Sequence, residues 1–275
     1  METISLQILD VSINIHCANS HIQNLLNANF SALKDREAAH EAMAVLEYSV
    51  ELNDANHFAI LRAGGPVIAN ADEYDLIYFL EKDITVELQK IRKDLLFIHG
   101  AALEFEDKAC LIVAPSGSGK STTTWALLHH GFRYLSDELA PIDLSTMKVS
   151  AYPHALCLKA DPPQPYTLPA NVVRTIATIH VPVDSLPAHV CHTPVPLAAI
   201  FFVKYNPDLN DPAMHEISAA EASARIYANA LNPLAHPEGG LDTVISVARR
   251  CQCFNVMSAD LKKTTDLIKS AMKRI

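Results

Sequence analysis

The sequence predicts an α/β fold with a smaller α+β unit ahead of it, on three observations. Near the middle, the apolar stretch Leu111-Ile112-Val113 runs into a glycine-bearing loop, Ala114 to Ser121, and then into a helical segment reaching His130. At the start, residues 3–17 alternate apolar and polar side chains, the period-2 pattern of half-buried strands. Between them, apolar residues recur at helical spacing from Glu73 to about Leu95. These divide the chain into a small N-terminal α+β domain, 1–94, and a larger α/β domain, 95–275.

The elements follow in order. Residues 3–17 give one or two strands, and the apolar runs Val45–Val50 and Phe58–Leu61 give further ones. Gly64-Gly65-Pro66 marks a turn. Leu76, Ile77, Phe79, Leu80, Ile84, Leu88 and Ile91 then form the apolar stripe of one amphipathic helix or a pair. Leu95–Phe105 and Ala109–Val113 flank a turn at Glu106-Asp107-Lys108 and read as a hairpin-like pair. The helix after the loop closes at Gly131, the expected C′ glycine, and Phe132–Ser136 forms a strand ending at Asp137-Glu138. Eight of the sixteen prolines fall between residues 161 and 196, so that stretch is loop-rich, a plain structural loop or part of a groove or lid. Leu197–Val203 suits a buried strand. Ser218-Ala-Ala-Glu221 is a capping-box pattern opening a helix to about Ala230. Asp260 to Ile275 reads as an amphipathic helix whose basic last turn, Lys273-Arg274, suits a helix C-terminus.

Composition excludes several classes. Hydrophobic residues make up 49% of 275, enough for a packed core and too many for a wholly disordered chain. With 22 basic and 31 acidic side chains, the net charge of −9 argues against duplex nucleic acid as a partner. No apolar stretch reaches the ~18–20 residues of a membrane span, and the N-terminus lacks an export pattern. The expectation is therefore a cytoplasmic protein with reduced thiols, no nucleic-acid or membrane partner, and an open oligomeric state, a homo-oligomer included. Six cysteines are scattered through the chain, and Cys251-Gln252-Cys253 lacks the spacing and second pair that zinc requires. They read as core thiols.

The chain has only eight glycines, yet Gly100, Gly117, Gly119 and Gly131 fall inside a 32-residue window. Ala114-x4-Gly119-Lys120-Ser121 fits the phosphate-loop pattern, with alanine in the first place. In such a loop, consecutive backbone N–H groups at a helix N-terminus wrap the β-phosphate. Ser116, Gly117, Ser118, Gly119, Lys120, Ser121 and Thr122 are thus the candidate nucleotide-binding residues. Lys120 would reach the β- and γ-phosphates, and the Ser121 hydroxyl would ligate Mg²⁺. An acidic pair, Asp137-Glu138, ends the next strand, 17 residues beyond Lys120. One carboxylate of such a pair can hold the metal while the other takes the proton of an attacking hydroxyl. The downstream apolar strand is followed by Lys204-Tyr205-Asn206, not by an acid, which departs from ordinary P-loop ATPases. Lys159, Lys204 and Arg225 are candidate second phosphate clamps.

Three motifs now carry a resemblance. Phe97-Ile98-His99-Gly100, then Ser116-Gly117-Ser118-Gly119-Lys120-Ser121, then His130-Gly131-Phe132-Arg133-Tyr134-Leu135-Ser136-Asp137-Glu138 are similar, in order and spacing, to the catalytic domain of HPr kinase/phosphorylase. The resemblance implies a phosphoenolpyruvate-carboxykinase-like P-loop core. It also implies that Asp137 is the general base toward a serine hydroxyl, that Glu138 stands near the metal, and that His99 abuts Asp137. Asp137, His99 and Lys120 are then the catalytic residues, and Ser121, Glu138 and Asp137 the metal residues. Ala114 replaces a glycine, Glu138 replaces an aspartate, and the family's downstream Glu-Ile-Arg-Gly-type signature is missing. The segments Pro196–Tyr205 and Ile217–Arg225 are more similar to the branch found with ribosomally made peptides, including lasso-peptide serine kinases. What this implies is an ATP- and Mg²⁺-dependent kinase phosphorylating a serine hydroxyl of a peptide or protein, a ribosomal peptide precursor being the favoured type. The alternatives are HPr kinase/phosphorylase proper and a non-catalytic nucleotide-sensing protein.

Overall fold

The computed structural model describes residues 2–34, 42–53, 57–63 and 65–275, so Gly64 of the expected turn lies outside the described residues. Five strands build the first sheet, in spatial order β1 (Glu2–Ile8), β2 (Val11–Cys17), β3 (Ala44–Leu52), β4 (Phe58–Arg62) and β5 (Gly65–Ala71). β2 and β3 run parallel and the other neighbours antiparallel. The alternation noted in the sequence has a direct cause in β2. Val11, Ile13, Ile15 and Cys17 are buried, while Asn14 and His16 point to the open face and bond to Glu47.

Two helices cover the apolar face. α1 (Ser20–Phe30) is capped by Asn19 and buries Ile22, Leu25, Leu26 and Phe30. α2 (Glu73–Ile91) is a single helix, not a pair; Asp72 caps it, and Glu73 and Asp75 sit in its first turn where the helix dipole favours acids.

The second sheet has nine strands: β6 (Leu95–His99), β7 (Ala101–Phe105), β8 (Lys108–Val113), β9 (Arg133–Ser136), β10 (Leu139–Asp143), β11 (Lys148–Val149), and, beyond an interruption, β15, β16 and β17. The interruption contains a small sheet of β12 (Leu156–Leu158), β13 (Val173–Arg174) and β14 (Ile179–Val181), within and beside the proline-dense stretch. β15 spans Val195–Tyr205, β16 Ala213–Glu216 and β17 Gln252–Ser258. The helices here are α3 (Lys120–Leu128), α4 (Ala219–Asn229), α5 (Leu241–Arg250) and α6 (Leu261–Met272).

Helices cover both faces of this sheet, the mixed α/β layering expected from strands that alternate with helices. Trp125 and Leu128 of α3 and Ile268 and Met272 of α6 pack on one side. Ala222 and Ile226 of α4 and Val244 and Val247 of α5 pack on the other. The two sheets share a core through β6: Leu95 and Phe97 join the N-terminal cluster, whereas Leu96 and Ile98 join the α4–α5 layer. None of the described helices is long and apolar enough to cross a membrane.

The order of strands at one edge of the sheet positions the site. β15 lies between β17 and β8, parallel to both. β8 is followed in space by antiparallel β7 and then by β9, antiparallel to β7 and so parallel to β8. One edge therefore presents, in sequence across the sheet, Ser258, Tyr205, the loop after Val113, the His99-Gly100 step into β7, and Asp137-Glu138 after β9.

β6 would have an open edge beside this site, and the segment 230–232 closes it, the Leu231 amide donating to the Phe97 carbonyl at 2.8 Å. Asn232 accepts a hydrogen bond from the Phe97 amide and donates one to the Leu95 carbonyl, both at 2.9 Å, imitating a neighbouring strand. Asn232→Ala leaves the buried Phe97 amide without its partner and takes one donor from the Leu95 carbonyl. The expected loss is about 2–3 kcal/mol of unfolding free energy, read by urea titration.

His180 of β14 ties the small sheet to α1. Its Nδ1 meets Asn29 Oδ1 at 3.2 Å and its Nε2 meets Thr178 at 2.9 Å. Burial, with a smaller effect from His154, pushes the ring from 6.5 down to about 4. The unfolded chain therefore binds the extra proton first, and stability falls as pH drops from about 6.5 towards 4. Between about pH 6.5 and pH 5 the wild type should lose about 1.5 kcal/mol more than His180→Gln, measured by unfolding at both pH values.

Candidate active site

The loop between β8 and α3 has a shape its residues impose. Gly117 and Gly119 take φ of 80° and 93°, the left-handed region that side chains rarely enter. Gly119 is the N-cap of α3 and offers no side chain to the first helical amides. Those amides, with the positive end of the helix dipole behind them, form an anion-binding end. Gly100 is constrained from the other side: a Cβ there would stand 3.1 Å from both the Ile112 carbonyl and a Val113 methyl. A side chain at Gly100 would press on the end of β8, so glycine suits the close approach of the His99-Gly100 step to that strand.

The loop lines a cleft of about 560 Å³. Ser116, Gly117, Gly119, Lys120, Ser121 and Thr122 line it, with His99, Glu138 and Lys159 on one flank and Tyr205 and Lys262 also on its walls. Ser118 takes part through its backbone, its carbonyl accepting the Tyr205 amide at 3.1 Å.

Lys120 is the centre of the polar network. Its Nζ donates to the Asp137 carbonyl at 2.5 Å, to Asp137 Oδ1 at 3.1 Å and to Glu138 Oε1 at 3.0 Å. Burial alone would favour loss of its proton, but the two carboxylates outweigh this and hold Lys120 above the ordinary lysine range. Ser121 Oγ donates to Asp137 Oδ2 at 3.0 Å, and the Cys157 amide donates to the same oxygen at 3.2 Å. Asp137 is thus fully buried, with both oxygens engaged.

Glu138 behaves differently although it is the next residue. It faces the cleft, 37% exposed, and its Oε2 meets His99 Nε2 at 2.9 Å. Burial raises its carboxyl, but the His99 hydrogen bond and the Lys120 ammonium prevail and hold it at about 2. The expectation that His99 abuts Asp137 is corrected here: the histidine pairs with Glu138. The two acids lie in the bend between β9 and β10, and both reach Lys120, but Asp137 is buried against Ser121 and the Cys157 amide while Glu138 faces the cleft.

The oxygen donors suit a magnesium ion. Ser121 Oγ and Asp137 Oδ2 lie 3.0 Å apart, close to the separation of adjacent oxygens on an octahedral ion with bonds of ~2.0–2.1 Å. No group of three His, Cys, Asp or Glu side chains is placed to hold a metal among the described residues. A site of one hydroxyl and one or two carboxylates, completed by phosphate oxygens and water, is the arrangement Mg²⁺ accepts.

Of the three candidate clamps, one lines the cleft. Lys159, just past β12, donates to Ser116 Oγ at 2.6 Å. Arg225 lies on α4, bonded to Asn255 and Glu221 and over the Phe202 ring, and Lys204 is not among the lining residues. Of the proline-dense stretch, Pro163 and Gln164 reach the cleft wall. Tyr205 and the start of α6 were not singled out by the motifs, because strand pairing, not local sequence, brings them to the loop.

The chain is, in class, a mixed α/β protein with a glycine loop between strand and helix and an acidic pair ending the next strand of the same edge. No family model matches the chain, and no curated protein matches it. Among solved structures it is similar to the HPr(Ser) kinase/phosphatase from Coxiella burnetii, at 12% identity and a TM-score of 0.33, over 65% of this chain and 97% of that one.

Proposed function

We propose that this protein is an ATP-dependent kinase that transfers the γ-phosphoryl group to a serine hydroxyl of a peptide or protein. One observation carries the proposal: Lys120, Ser121, Asp137, Glu138 and His99 converge at one sheet edge around an uncapped, glycine-turned helix N-terminus. These are the parts phosphoryl transfer needs, namely a phosphate cradle, oxygen ligands for a metal, and a carboxylate facing the cleft.

The geometry supports roles for the two acids opposite to those the family resemblance implies. Asp137, buried against the Ser121 hydroxyl, would join Ser121 in holding Mg²⁺. Bound there, magnesium would neutralise charge on the β- and γ-phosphates. Glu138, exposed to the cleft and oriented by His99, would be the general base. The serine oxygen attacks the γ-phosphorus, its proton passes to Glu138, and the bond from the γ-phosphorus to the β–γ bridging oxygen breaks to release ADP. Lys120 would leave the carboxylates for the phosphates when nucleotide enters, and Lys159 stands on the wall from which a second cation could reach the transferring group. Residues 1–94 would act as an N-terminal unit docked through the shared β6 core.

Incubation with γ-labelled ATP, Mg²⁺ and serine-containing peptides tests the proposal, with ribosomal precursor peptides the first acceptors to try. Label should appear as phosphoserine and be absent from serine-to-alanine peptides. Label found only as inorganic phosphate, or ATP bound without turnover, would overturn it.

A further inference from the structure

Phosphate ligands account for only one side of the cleft. The loop lies in the middle of the sheet edge, with β9 and its acids on one flank, across β7, and β15 and β17 on the other. The acidic pair, Lys120 and Lys159 lie toward the β9 flank, while on the other flank only Lys262 carries a positive charge to the cleft wall and it is paired with Asp266, so the γ-phosphoryl end of a nucleotide is drawn toward β9. A triphosphate centred on the α3 N-terminus must then send its nucleoside toward β15 and β17.

That flank contains a surface suited to a nucleobase. Tyr205 ends β15, is 51% exposed, and lines the cleft. Its backbone is fixed against the loop: its amide donates to Ser118 at 3.1 Å, and its Cβ lies 3.6 Å from where a side chain on Gly119 would begin. The next residue is also held, since the Asn206 amide donates to the Ser258 carbonyl at 2.8 Å. Ala259 and Leu261, at the start of α6, add apolar lining. The result is a half-exposed aromatic side chain, anchored at its base, next to a phosphate cradle.

We infer that this flank is the nucleoside subsite, with the ring of Tyr205 as the stacking platform for the base. The inference rests on the kinase assignment above and adds where the nucleoside lies. An aromatic stack is tolerant of base identity, since every base has a π-face. It therefore supplies affinity for the nucleoside independently of the phosphate contacts.

Calorimetric titration of the full chain with Mg·ATP and with Mg·tripolyphosphate, which lacks the nucleoside, separates the two. Tyr205→Ala should weaken ATP binding by about ten- to a hundredfold and leave tripolyphosphate affinity unchanged within about twofold. Tyr205→Phe should keep ATP affinity within about twofold. If Tyr205→Ala binds ATP as the wild type does, or loses both ligands equally, the subsite is elsewhere. Wild-type protein that binds neither ligand would instead refute the kinase assignment itself.

Discussion

Replacing Glu138 with glutamine is expected to lower the rate of phosphoryl transfer by ~10²–10⁴-fold while nucleotide still binds. The carboxamide keeps the size of the side chain and an oxygen for His99, but it cannot take up the serine proton. In the free protein Glu138 is held at about 2, too weak a base to be of use near neutrality. Two of the groups that hold it there are His99 and Lys120, and Lys120 is the one a triphosphate draws away. Nucleotide binding should therefore raise the basicity of Glu138 when the acceptor arrives. Rapid-quench single turnovers give the rate, and a parallel ATP titration shows that binding is retained. A Glu138→Gln enzyme within about fivefold of wild type would remove Glu138 from the base role.

Replacing Lys120 with methionine is expected to abolish transfer and to cost stability as well. The ammonium is 9% exposed and is the cationic partner of Asp137, whose carboxylate is fully buried. Removing one partner of a buried pair costs ~3–5 kcal/mol, because the other charge is left in a poorly solvated place. Here Ser121 and the Cys157 amide still donate to Asp137, so about 3 kcal/mol is expected. The double variant Lys120→Met with Asp137→Asn removes the stranded charge and should recover most of that loss. Urea unfolding of the two single variants and the double measures the coupling. An additive result would mean that the pair contributes nothing.

Much of this arrangement is legible in the sequence, and the rest fails for identifiable physical reasons. The loop, α3, Gly131 at φ 91° and the hairpin feeding β8 are local, so spacing and turn residues reveal them. α1 has a weak local signal: Asn19 is a capping residue, and Ile22, Leu25, Leu26 and Phe30 lie on one face. The polar residues interleaved there dilute the pattern. α5 hides similarly, with Val244 and Val247 buried between charged and polar neighbours. Strand β5 begins at Gly65-Pro66, which reads as a turn. In the site, that Asp137 and Glu138 work with the loop is legible, but which of them is buried depends on the bend between β9 and β10 and on tertiary partners such as the Cys157 amide. Tyr205 lies 84 residues past Ser121 in the chain and reaches the loop only because β15 pairs beside β8. No local pattern encodes that pairing.

The division of labour between the two acids is the central claim, and single-turnover transfer as a function of Mg²⁺ concentration tests it most directly. Asp137→Asn should shift the Mg²⁺ dependence to higher concentration and recover rate as the metal is raised, since its loss weakens a ligand. Glu138→Gln should stay slow at every Mg²⁺ concentration, since no metal replaces the missing proton acceptor. The reverse pattern, with Glu138→Gln rescued by Mg²⁺ and Asp137→Asn slow throughout, would contradict the account and return the base role to Asp137.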